Sequence, residues 1–156
     1  MTATAQRFSP RRSDLDWLLE DFVDKVPGAR LVVLLTVDGL AIAQSQGDKE
    51  TVERIAAVGT GFNMLGKAVA NLYADGVVNS VGVDVGVTGP STAGARGGFV
   101  TFMAAGEGTY LALVADKGVD ADPAFMNRSM VELRVSLKEH LGTDLRSADH
   151  RTAGGS

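Results

Sequence analysis

At 156 residues, with 45% hydrophobic and 22% charged content, the chain has the ordinary composition of a globular protein and enough length for one domain with one core. Its 19 acidic residues outnumber the 15 basic ones, and the net charge of −4 speaks against a nucleic-acid partner or an anionic membrane surface. The absence of cysteine removes disulfides, thiol nucleophiles and thiolate metal sites.

The opening stretch MTATAQRFSPRR lacks the apolar core of a secretory signal, and no apolar run approaches the ~20 residues of a membrane span. A cytoplasmic protein without membrane insertion is expected. The polar ends read as a flexible arm over 1–12 and a flexible tail over 146–156, leaving a folded domain at 13–145. Ser13 suits a helix N-cap, with Asp16 three residues on, and Leu15, Leu18, Leu19, Phe22, Val23 and Val26 follow at helical spacing until Pro27-Gly28 stops the helix. Its acids, including Asp14, Asp16, Glu20, Asp21 and Asp24, mostly line the opposite, solvated face. Trp17 lies off the apolar stripe, where a tryptophan can mark an interface, so it is a candidate partner contact.

Next, VPGARLVVLLTVDGLAIAQS reads as a hairpin. Asp38-Gly39 between apolar runs predicts a two-residue turn of type I′, and Leu31–Leu35, apolar on both faces, predicts a strand covered on both sides. Asp48 can cap a helix running to about Ala74. Residues Ile55–Gly66 of this helix include no charge. Val58, Phe62, Leu65, Val69 and Leu72 share one broad face, while Ala56, Gly59, Asn63, Gly66 and Ala70 form a second face of small residues. Each interior glycine costs ~1 kcal/mol of helix propensity relative to alanine, so another backbone should approach closely. That backbone could belong to the chain's own sheet or to a symmetry-related helix. A helix apolar on more than one side is buried on more than one side, which favours a homodimer contact.

Val77–Thr88 alternates as a half-buried strand, with Val81, Val83, Val85 and Val87 on one face. The segment TGPSTAGARGG over 88–98 has loop composition. Phe99–Ala104 and Thr109–Ala115 make a second hairpin around Ala105-Gly106-Glu107-Gly108. Asp122 caps a last helix with Pro123 at its first position; Met126, Met130, Leu133, Leu137 and Leu141 form its stripe and Gly142 its end. The order α-β-β-α-β-β-β-α predicts a layered α/β (α+β) domain: a five-stranded antiparallel sheet with helices on both faces.

Catalytic devices are hard to find. Neither GARGG at 94–98 nor GEG at 106–108 leads into a helix or a Gly-Lys-Ser/Thr sequence, so the phosphate-loop pattern is missing. Gly59-Thr60-Gly61 sits mid-helix, without free amides for an anion. His140 at a helix end and His150 in the tail do not make a metal pair, and no histidine remains inside the domain to activate Ser91 or Ser129. Asp84, a carboxylate inside a strand, reads as a paired or partly exposed residue. Arg96 at a loop tip could serve as an arginine finger in phosphoryl transfer or simply aid solubility, and is kept as a candidate partner contact. No catalytic residue, cofactor or metal site is assigned.

The element order, together with Leu15, Leu18, Val26-Pro27-Gly28, Leu34-Leu35 and Asp38-Gly39-Leu40, resembles the roadblock/dynein light-chain family over roughly 13–141. Among its branches the chain is most similar to the bacterial proteins that accompany small Ras-like GTPases, although its 88–98 loop is longer and richer in glycine than the family's usual turn. The resemblance implies a homodimer in which the second helix and third strand meet their mates, placing Val81, Val83 and Val85 beside the small-residue helix face in the candidate interface. It further implies a non-enzymatic regulator of a small Ras-like GTPase in bacterial signalling, acting as activator or adaptor. Two other readings stay open: a scaffold or light-chain-like subunit with no effect on nucleotide state, and a small-ligand sensor or enzyme using loop 88–98 as a lid.

Overall fold

The computed structural model describes residues 10–87, 96–106 and 108–153, with side chains described between 15 and 140. Eight elements follow one another: α1 (Pro10–Lys25), β1 (Ala29–Thr36), β2 (Ala41–Gln44), α2 (Lys49–Ala70), β3 (Ser80–Val85), β4 (Gly98–Gly106), β5 (Thr109–Asp116) and α3 (Pro123–Ala153). The strands form one antiparallel sheet in the order β2-β1-β5-β4-β3. The fold class expected above is the one observed.

The interior place of β1, between β2 and β5, follows from its composition. All of Leu31–Leu35 is buried, and alternate side chains enter two separate cores. Val32 and Leu34 join Leu19, Phe22, Met103, Leu111, Met130 and Leu137 beneath α1 and α3. Leu31, Val33 and Leu35 join Val52, Ala56, Phe102 and Ala112 beneath α2. Where β2 ends, the buried Ser45 prolongs the ladder, its amide donating to Val32 O and its Oγ accepting from Val32 N–H, both at 2.9 Å. A polar side chain buried this deeply is stable because its oxygen is satisfied.

Element ends differ from the sequence reading in identifiable ways. Helix α1 starts at Pro10, ahead of Ser13, since proline suits a first helical position. The β1–β2 turn is not the two-residue type I′ form. Asp38 is absent from the left-handed region and Gly39 alone enters it, at φ 87°. Gly39 N–H donates to Thr36 O and Thr36 N–H to Leu40 O, the pattern of a three-residue loop with glycine at its left-handed position. Asp48 caps α2 as expected, accepting from the Glu50 and Thr51 amides. Its carboxyl is held below the usual carboxylate range, first by the Thr51 hydroxyl and then by those amides. The helix closes at Ala70 rather than Ala74, in a turn that places Asp75 at φ 56°.

Strand β3 is shorter than its alternating sequence suggested, spanning Ser80–Val85, and residues 88–95 of the loop lie outside those described. Asp122 Oδ1 accepts the Ala124 amide at 3.0 Å, capping α3 where expected. That helix then runs through Gly142 to Ala153, over the segment read as a tail. A glycine ends a helix only where the chain also turns away, and the following TDLRSADHRTA contains no proline to force it. His140 is consequently mid-helix, with Nδ1 2.8 Å from Ser136 O.

Candidate interaction surface

The orientation of α2 decides which of its faces is available. An ideal Cβ on Gly59 would come within 2.9 Å of Phe102 Cε1 and 3.5 Å of Leu35 Cδ1. One on Gly66 would meet Val78 and Val81 at 3.1 Å. Ala56 is buried in the second core, and Asn63 Oδ1 accepts the Tyr110 hydroxyl at 2.6 Å. The small-residue face therefore packs on the chain's own sheet through Ala56, Gly59, Asn63 and Gly66, and Gly66 also lines the groove described below. Ala70 sits half-buried at the end of the same face. The glycines do mark a close approach, but its partner is intramolecular. Tyr110→Phe is expected to leave Asn63 without this donor and lower stability by about 1 kcal/mol, read as a fall of roughly 2–4 °C in Tm.

The apolar stripe is what remains exposed. Leu65 is 63% exposed, Val69 58% and Leu72 79%, with Val58 continuing the stripe towards the helix start. Tyr73 and Val77 carry it around the turn, 70% and 79% exposed. An open groove of about 680 Å³ lies between this stripe and β3, lined by Phe62, Leu65, Val69, Tyr73, Val77 and Val81 among others, and most of its lining is apolar. Its far wall is an edge strand. Among the described residues β3 is bonded to β4 alone, and the register Val81↔Phe102, Val83↔Val100 and Val85↔Gly98 turns all three valines to the α2 side of the sheet. Val81 and Val83 are half-buried and Val85 exposed. A free edge beside an uncovered apolar helix stripe is an aggregation hazard in a monomer.

The two sheet edges are not alike. At the opposite end, the Gln44 amide of β2 donates to Asp16 Oδ1 of α1 at 3.0 Å. Of the candidate partner contacts, Trp17 is exposed on α1, and Arg96 is exposed beside Gly97, which adopts φ 86° and packs against Val85 at the end of β3. Asp84 is paired with Lys117, whose ammonium also lies 5.2 Å from the centroid of the Phe99 ring. Among the described residues no group of three or more His, Cys, Asp or Glu side chains could hold a metal ion, and no helix is long and apolar enough to cross a membrane.

Residues 15–84 match the family model of the Roadblock/LC7 domain, a stretch that runs from α1 into β3. A Roadblock/LC7 domain from Streptomyces avermitilis is similar over most of both chains: 29% identity, 81% of this chain, 96% of that one and a TM-score of 0.68. MglB of Myxococcus xanthus shares the fold at 10% identity, covering 87% of this chain and 93% of its own with a TM-score of 0.69. The gliding protein MglB of Thermus thermophilus does so at 16% identity, with 85% and 92% covered and a TM-score of 0.68. No curated protein sequence matches the chain.

Proposed function

We propose that the chain is a non-enzymatic, homodimeric regulator of a small Ras-like GTPase in bacterial signalling, acting as activator or adaptor. The observation that carries this reading is the continuous apolar surface running from the α2 stripe across the groove to the open edge of β3. It has the features of half an isologous interface, in which one patch meets its own copy about a two-fold axis. Pairing β3 with its mate would join two five-stranded sheets, while Leu65, Val69 and Tyr73 of one chain would cover those of the other. The Roadblock/LC7 domain and the likeness in fold to MglB support a GTPase as the further partner.

A regulator of this kind requires no nucleophile or base of its own. Phosphoryl transfer depends chiefly on positioning and on electrostatic stabilisation of the transferred group, so ordering a GTPase's own switch residues can accelerate it. Trp17 supplies a rigid, exposed aromatic anchor for such a partner, and Arg96 an exposed cation. The test is single-turnover GTP hydrolysis by purified small Ras-like GTPases of the same organism, with and without this protein. Activation is expected to raise the rate about tenfold or more, against the 10³–10⁵ supplied by an inserted arginine finger. Binding without acceleration assigns the adaptor role, and failure of every GTPase to bind sinks the proposal.

A further inference from the structure

We infer that Asp16 is a cap on the β2 edge that confines self-association to the opposite edge of the sheet, so that assembly closes instead of growing into a fibre. A five-stranded sheet has two edges, and each exposes backbone donors and acceptors able to recruit another strand. Among the described residues nothing pairs with the outer edge of β3, whereas β2 is covered: Asp16 reaches from α1 to take the Gln44 amide at 3.0 Å. The direction of that amide follows from the ladder. Ser45 N–H points at Val32 O, so its neighbour Gln44 points away from β1 and towards the position of an added strand.

Placement on α1 makes the cap possible. Leu15 and Leu19 bury the underside of the helix, and Asp16 and Glu20, one turn apart, project on the flank beside β2. Together with Gln44, Ser45, Gln46 and Gly47 they line a shallow, mainly polar depression along the strand's outer side. An incoming β2 from a second copy would have to displace Asp16 from its hydrogen bond. It would also bring its own Asp16 and Glu20 against these two carboxylates. Both terms oppose pairing at this edge, whereas the carboxylate of β3, Asp84, is paired with Lys117. The occupied Gln44 amide acts as the stop, placed where an uncapped strand would allow open-ended growth.

The inference rests on the β3 dimer for the claim that assembly closes at two, but the cap itself can be tested independently. Asp16→Asn retains an acceptor oxygen and is expected to keep the wild-type solution mass throughout a dilution series. Asp16→Ser is too short to reach Gln44 and is expected to show masses that rise with concentration beyond twice the 16.3 kDa chain. Its Gln44 amide should exchange with solvent about tenfold faster in dilute solution. If β3 does not dimerise, the wild type is a monomer, yet Asp16→Ser should still self-associate through β2. That result separates failure of the dimer from failure of the cap. A folded Asp16→Ser with the wild-type mass at every concentration overturns the inference. Should that variant not fold, exchange at Gln44 in the wild type decides: protection at all dilutions upholds the cap, and exchange at the rate of a free amide overturns it.

Discussion

Gly59→Leu is expected to lower Tm by roughly 4–8 °C, whereas Gly61→Ala, two positions on in the same helix, should raise it by roughly 2–4 °C. The opposite signs follow from what each new side chain would meet. A Cβ at 59 would lie 2.9 Å from one carbon of the Phe102 ring and 3.3 Å from another. Phe102 is itself buried, in a tilted contact with Phe62 at 5.3 Å between centroids, so the ring has little room to retreat. Forcing extra methylenes into such a site costs about 1–3 kcal/mol, and with the branched leucine the upper part of that range outweighs the ~1 kcal/mol gained by removing a helical glycine. At Gly61 there is nothing within 4 Å, so only the helix-propensity gain remains. Thermal melts of the isolated variants measure both. A Gly59→Leu protein as stable as the wild type would mean that α2 does not press on Phe102 and that the orientation of the helix is wrong.

That orientation was the part of the candidate site least legible in the sequence. Three glycines in a helix state that something comes close, but their spacing cannot distinguish the chain's own sheet from a second copy. From Ile55 through Gly66 α2 carries no charge, so the usual polar marker of the solvent side was missing there. Legible features were those set by local chemistry. Leu31–Leu35 announced a strand buried on both faces, and that double burial places β1 in the interior of the sheet. Asp48 and Asp122-Pro123 fixed two helix starts through side-chain caps. The β1–β2 turn was recognised but assigned the wrong length, because Asp-Gly is compatible with more than one loop and here the glycine alone needs a left-handed φ. The Asp16–Gln44 bond, spanning 28 residues, has no local signature; the spacing of Asp16 from Ser13 suggested a role at the helix start, and α1, which begins at Pro10, aims it at β2 instead.

Leu65→Asp is expected to turn a dimer into a monomer while leaving the fold of the single chain intact, the reverse of what Gly59→Leu should do. Leu65 is 63% exposed and lines the groove facing β3, so a carboxylate there remains hydrated in the lone chain. Across a two-fold interface the same substitution would bury two like charges close to one another. Leaving one buried charge unpaired costs about 3–5 kcal/mol, so the dimer constant should weaken by at least a hundredfold. Light scattering across a dilution series should give a mass near twice 16.3 kDa for the wild type and a single-chain mass for the variant, with matching circular dichroism. Val83→Lys, on the edge strand and on the same sheet face as the groove-lining Val81, should have the same effect. If the GTPase recognises the dimer, both variants should also lose acceleration of hydrolysis, and raising their concentration until they pair should restore it. A Leu65→Asp protein that remains dimeric would move the interface off α2 and leave the open edge of β3 to be covered by something else.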